Sequence, residues 1–180
     1  MSQKPSAALH YVKGILWKPE GVESRLHDPQ PATSDDPLVL LLRRYESHYR
    51  PYNDGDLPGG GVHVGKETGE AALFREILTE TGIGRASIGE PRLVFANVID
   101  DWRIGTGPVN VVHDVYVAQV ALDAEVSREP FMRPEADNHS AEWVLLSRAI
   151  GETSIATQRD AMQWVYDRGL WQMAAAPGAQ

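Results

Sequence analysis

The sequence predicts an α/β domain, a mixed β-sheet with helices on its faces. Three observations predict it. Apolar runs of strand length alternate with two stretches of helical periodicity. The segments between them are long, polar and rich in Pro, Gly and Asp. No internal repeat or linker divides the 180 residues, so a single domain is expected over 1–180, with 1–7 and 173–180 as loose tails.

Taken in order, "LHYVKGILW" at 9–17 has the apolar and aromatic content of a strand. "KPEGVESRLHDPQPATSDDP" reads as a surface loop. "LVLLLRRY" at 38–45 opens with an unbroken apolar run, as a buried strand does. "ESHYRPYNDGD" is a loop carrying Tyr49 and Tyr52, and a glycine turn follows it. "TGEAALFREILTET" predicts a helix over 68–81. Ala71, Phe74, Ile77, Leu78 and Thr81 are expected on its core side, and Gly82 as its C-cap. "PRLVFANVID" and "VNVVHDVYVAQVAL" predict two adjacent strands around the turn residues of "DWRIGTGP". "EVSREPFMRPEADNHS" is a polar loop and "AEWVLLS" a short strand. "TSIATQRDAMQWVYDRG" predicts a final helix, with Ile155, Met162, Val165 and Tyr166 among its apolar positions.

Composition narrows the function. With 42% hydrophobic and 23% charged residues the chain is ordinary for a globular protein. It has no cysteine, which excludes disulfides and thiolate metal sites. No apolar run reaches the ~20 residues of a membrane span, and the first residues lack a signal-peptide core. A cytoplasmic location is therefore expected. The net charge of −8, with a pI near 5.2, disfavours non-specific nucleic-acid binding, which needs Lys and Arg against phosphates. A small phosphorylated ligand remains compatible, bridged to carboxylates by a divalent cation.

The stretch "LPGGGVHVGKETGE" at 57–70 offers two phosphate chemistries. Gly60, four residues, Gly65 and Lys66 nearly spell a P-loop, but Glu67 stands where a hydroxyl residue is required. The approach "YNDGD" is also polar, where a P-loop needs a buried strand. The other chemistry lies on the helix. Glu76 and Glu80 are four residues apart and share a face with Ala72 and Thr79, read as opposite the Phe74, Leu78 and Thr81 stripe. Two like charges there cost an isolated helix ~0.2–0.5 kcal/mol, which a cation between them would remove. Taken alone, the pair fits a plain solvated helix face better than a cation site.

The order of these parts resembles the Nudix box. Gly61 opens the pattern, and five residues later comes Glu67. After seven more come Arg75, Glu76 and Ile77, then Leu78, Thr79, Glu80, Thr81, Gly82 and Ile83, with no insertion. Two positions depart from the family. Thr79 replaces the first glutamate of a Glu-Glu pair, and Lys66 stands where many members have glycine, which here is Gly65.

The resemblance implies a Nudix-like α/β/α sandwich with a mixed β-sheet. It implies cleavage of a diphosphate linkage in a nucleoside diphosphate derivative or related metabolite, with Mg2+ or Mn2+ as cofactor. Glu76 and Glu80 would hold the cation and serve catalysis. Arg75 would orient Glu67 or Glu76, and the carbonyl of Gly60, with Gly59 in reserve, would face the metal. Gly61, Glu67 and Gly82 would support the motif. The family often draws a further carboxylate from outside the box. Candidates are Asp100, Asp101, Glu135, Asp137 and Glu142, with Glu135 and Asp137 ranked first. Arg43, Arg44 and Tyr52 are candidates for substrate contact, with Tyr49 and Trp102 as further loop aromatics. His63, His113 and His139 show no metal-binding spacing, and His113 reads as structural. An exposed N-terminal strand could pair in a homodimer. Thr79 keeps a second reading open, a Nudix-like domain that binds its ligand without cleaving it.

Overall fold

The computed structural model describes residues 9–19, 36–44, 54–101, 109–126 and 138–173. Six strands form one sheet: β1 (Leu9–Lys18), β2 (Leu38–Arg44), β3 (Gly55–Asp56), β4 (Arg92–Asp101), β5 (Val109–Gln119) and β6 (Asn138–Leu145). Three α-helices lie among the described residues: α1 (Gly69–Thr81), α2 (Leu146–Glu152) and α3 (Ala156–Arg168). The strand order is β3-β2-β1-β5-β4, and β6 also pairs with β2. β1 and β5 run parallel and every other pairing is antiparallel, so the sheet is mixed. No helix among the described residues is long and apolar enough to cross a membrane.

The period of two along β1 divides the core. Val12 and Leu16 face α1, packed with Leu40, Ala72, Leu73, Ile77, Tyr116 and Ala118. Ile15 and Trp17 face the opposite way, into the layer formed with α2 and α3, where Leu146, Ala161, Met162 and Val165 are buried. The unbroken "LVLLL" of β2 follows from this, because both faces of the strand are covered. The result is the expected α/β/α sandwich.

Several expectations are corrected. β1 is not an exposed edge. β5 lies on one side of it, while β2 and the glycine turn lie on the other. In α1 the buried residues are Ala72, Leu73, Ile77 and Thr81, while Ala71 and Leu78 are exposed, Leu78 by 51%. At about 100° per residue, Glu76 and Glu80 fall between Ala72 and Leu73 on the helical wheel. The two glutamates therefore lie on the inward arc, not opposite the core.

Helix α1 has the expected C-cap. Thr68 Oγ1 accepts the Ala71 amide as N-cap, and Gly82 closes the helix in the left-handed conformation. Helix α2 has no counterpart in the sequence reading. It continues directly from β6, and its first turn is capped from afar, with Asp36 accepting the Ser147 amide and hydroxyl. Asp54 does the same for Ser154 ahead of α3. β3 lies in a segment read as loop and pairs for only two residues.

Candidate active site

The site begins with a turn laid along β1. Gly14 donates its amide to Pro58 O, Val12 to Gly60 O and Val62 to His10 O, at 2.8–3.0 Å. Residues 58–62 thus continue the sheet as an irregular ribbon. One glycine in it is sterically required, and a second leaves room for a carboxylate. Gly59 has φ +137°, and a Cβ there would stand 2.2 Å from Val12 O. A Cβ on Gly60 would stand 2.7 Å from Glu76 Cδ, so the absent side chain is the space the carboxylate occupies.

The helix supplies the charges. Glu80 Oε2 accepts the Gly59 amide at 2.8 Å. Arg75 holds the rest together. Its Nε and Nη2 donate to the two oxygens of Glu67 at 3.1 and 2.7 Å. Nη2 also donates to Gly61 O at 2.8 Å, and Nη1 donates to Glu76 Oε1. The forked guanidinium therefore ties the loop carboxylate, the turn and a helix carboxylate to one another. Glu67 further accepts the His63 amide at 2.8 Å. The Arg75 hydrogen bonds, then that amide, hold the Glu67 carboxyl down at about 2. The Glu67 bond chiefly, then Glu76, raises the Arg75 guanidinium reciprocally.

The donor set suits a hard divalent cation. Glu76 and Glu80 point to one turn, where Gly60 is replaced by no larger residue. The Gly60 carbonyl, the expected third ligand, accepts the Val12 amide at 3.0 Å and retains a second lone pair. Oxygen donors of this kind, two carboxylates completed by water and substrate phosphate, match magnesium's preferences. Among the described residues no group of three or more His, Asp or Glu side chains converges as a metal cage. Thr79 is half-buried one position before Glu80 and brings no charge.

The remaining sequence candidates divide. The Arg43 side chain, 5% exposed, is engaged by Glu142 and Glu152, so both Arg43 and Glu142 belong to an ion-pair cluster joining β2, β6 and α2. Lys66 and Gly65 lie exposed in the turn, Gly65 with φ +77°. His63 is 64% exposed, with Nδ1 3.2 Å from Glu67. His113 stacks on Tyr11 at a ring separation of 5.7 Å. Tyr49, Tyr52, Trp102, Glu135, Asp137 and the side chains of Arg44, Asp100, Asp101 and His139 lie outside the described residues. Sequence reasoning missed Lys13, Asp56 and Gln158, which brace the turn from behind. The one available signal was a lysine inside the apolar run "VKGILW".

A family model described as NUDIX domain matches residues 31–165. The chain belongs to the Nudix family. The turn, Glu67 and the carboxylate helix described above all fall inside the matched segment. Solved structures share the Nudix fold. A MutT/nudix family protein from Enterococcus faecalis is 24% identical with a TM-score of 0.52. The alignment covers 81% of this chain and 45% of that protein, so this chain spans under half of its length. A C. elegans Ap4A hydrolase is 14% identical with a TM-score of 0.61, covering 89% and 96%. The NUDIX domain of Shewanella oneidensis NrtR, solved with ADP ribose, is 18% identical with a TM-score of 0.59, covering 90% and 88%. No curated protein matches the sequence.

Proposed function

We propose that this protein is a divalent-metal-dependent hydrolase that cleaves a diphosphate linkage in a nucleoside diphosphate derivative or a related small metabolite. One observation carries the reading: Glu76 and Glu80 both turn inward against a glycine turn, Glu76 filling the space a Gly60 side chain would take and Glu80 accepting the Gly59 amide. Solvated surface glutamates would have no reason to be placed so. Glu76, Glu80 and the Gly60 carbonyl would hold Mg2+ or Mn2+. When bound, the cation supplies charge neutralisation for the phosphate oxygens and acidifies water. Arg75 keeps the Glu76 carboxylate in position, and Glu67 keeps Arg75 in position. Either helix carboxylate can take the proton of the attacking water. One neighbouring structure is named an Ap4A hydrolase and another is complexed with ADP ribose; both compounds contain such a linkage, which motivates starting a substrate panel with them.

The test is release of phosphate or nucleoside monophosphate across dinucleoside polyphosphates, nucleotide sugars and nucleoside triphosphates, with Mg2+ or Mn2+. Metal-dependent turnover of at least one member is expected. No turnover of any member would count against the reading. Thr79 favours a second reading, in which the same site binds its ligand without hydrolysis. Calorimetric binding of a panel ligand that is never turned over would select it.

A further inference from the structure

A second set of charges lies behind the site, and it is buried. Lys13 sits in β1 at 7% exposure, among fully buried apolar neighbours. Its ammonium has three donors, and three acceptors meet it: Leu57 O at 2.9 Å, Gly59 O at 3.1 Å and Asp56 Oδ1 at 3.0 Å. Asp56 is fully buried, and Gln158 Nε2 of α3 donates to it at 2.6 Å. The oxygen of the same amide group, Gln158 Oε1, accepts the Leu57 amide at 2.8 Å. A buried ion pair gives no reliable gain in stability over apolar residues of the same volume, so stability alone does not explain it. Its position does. The Lys13 and Gln158 bonds end on residues 56–59, the approach to the glycine turn. Gly59 is gripped at both ends, its carbonyl by Lys13 and its amide by Glu80.

We propose that Lys13, backed by Asp56 and Gln158, is a positioning residue that fixes the Gly59 backbone and through it the Glu80 carboxylate. Helix α3 is thereby linked through the sheet to a carboxylate on the opposite layer. Only the metal-affinity arm of the test rests on the function proposed above.

The decisive variant is Lys13→Met combined with Asp56→Asn, which removes both charges and leaves neither buried alone. Two quantities are read on the folded protein. Amide hydrogen exchange at Gly59 is expected to quicken by at least about tenfold, while Ile15 and Val117 in the β1–β5 ladder keep the parent's protection. Affinity for Mn2+ alone is expected to fall about tenfold, the usual scale for lost outer-shell support. Unchanged protection at Gly59 would overturn the proposal whatever the metal arm shows. A parent that binds no Mn2+ would count against the cation reading, and the exchange arm would still decide this one. Should the double variant not fold, Gln158→Met keeps both charges and is read the same way. Faster Gly59 exchange supports the proposal, and no change refutes it.

Discussion

Arg75 shows what a single side chain does here. Its guanidinium makes four hydrogen bonds, to two carboxylates and a backbone carbonyl, and so joins turn, loop and helix. Glu67 carries the acid-sensitive share of that link. Its pKa is lowered from 4.5 to about 2, so its ionised form is favoured by the fold. A carboxylate lowered in the folded state adds stability above its unfolded pKa and loses it as pH falls through the folded one. The Glu67 contribution should therefore be complete above 4.5 and fade towards about 2. Melting curves of the parent and Glu67→Gln should differ most near neutral pH and converge across that window. A gap that stays constant down to the acid limit would show that the Glu67 charge does not stabilise the fold. The motif spacing made Arg75 and Glu67 readable in advance. Lys13 was not, because its carbonyl partners lie 44 and 46 residues away and nothing local announces them.

At the scale of elements, the glycine turn and α1 form one unit. Gly82, the C-cap of α1, was readable because capping is local chemistry, whereas Thr68, read as the first helical residue, is the N-cap. The orientation of α1 was misread. Phe74 and Leu78 look like core residues on periodicity, but Phe74 lies only partly buried under the Arg85 guanidinium and Leu78 faces out. The glutamates take the inward arc because the turn opposite them is made of glycine. Helix α2 escaped the sequence because its cap, Asp36, lies 111 residues from Ser147. The two turn glycines should respond differently to alanine. Gly59→Ala forces a Cβ onto Val12 O at positive φ, and urea unfolding should show a loss of about 1–3 kcal/mol. Gly60→Ala meets only the flexible end of Glu76, so the fold should survive while Mn2+ affinity drops about tenfold. A Gly60→Ala protein that binds Mn2+ like the parent would separate Glu76 from the metal.

For the whole molecule, the sandwich was readable from alternating apolar and amphipathic segments, and the parallel β1–β5 pairing at its centre was not. The ion-pair cluster of Arg43, Glu142, Glu152 and Arg148 shows the same limit. Residues 99 and 109 positions apart meet at the junction of β2, β6 and α2. On this geometry Arg43 holds layers together. Arg43→Met should lower stability by about 1–3 kcal/mol, a modest figure because its carboxylate partners stay partly solvated. The substrate KM should not move. A raised KM with unchanged stability would instead return Arg43 to the phosphate.

On the function proposed above, the inward glutamates carry metal-dependent hydrolysis. The most direct measurement follows diphosphate cleavage by phosphorus NMR, with and without Mg2+, for the parent and Glu80→Gln side by side. Turnover by the parent is expected only with the cation, and a loss of about a hundredfold or more in the variant. A Glu80→Gln protein as active as the parent, or cleavage indifferent to the cation, would contradict it.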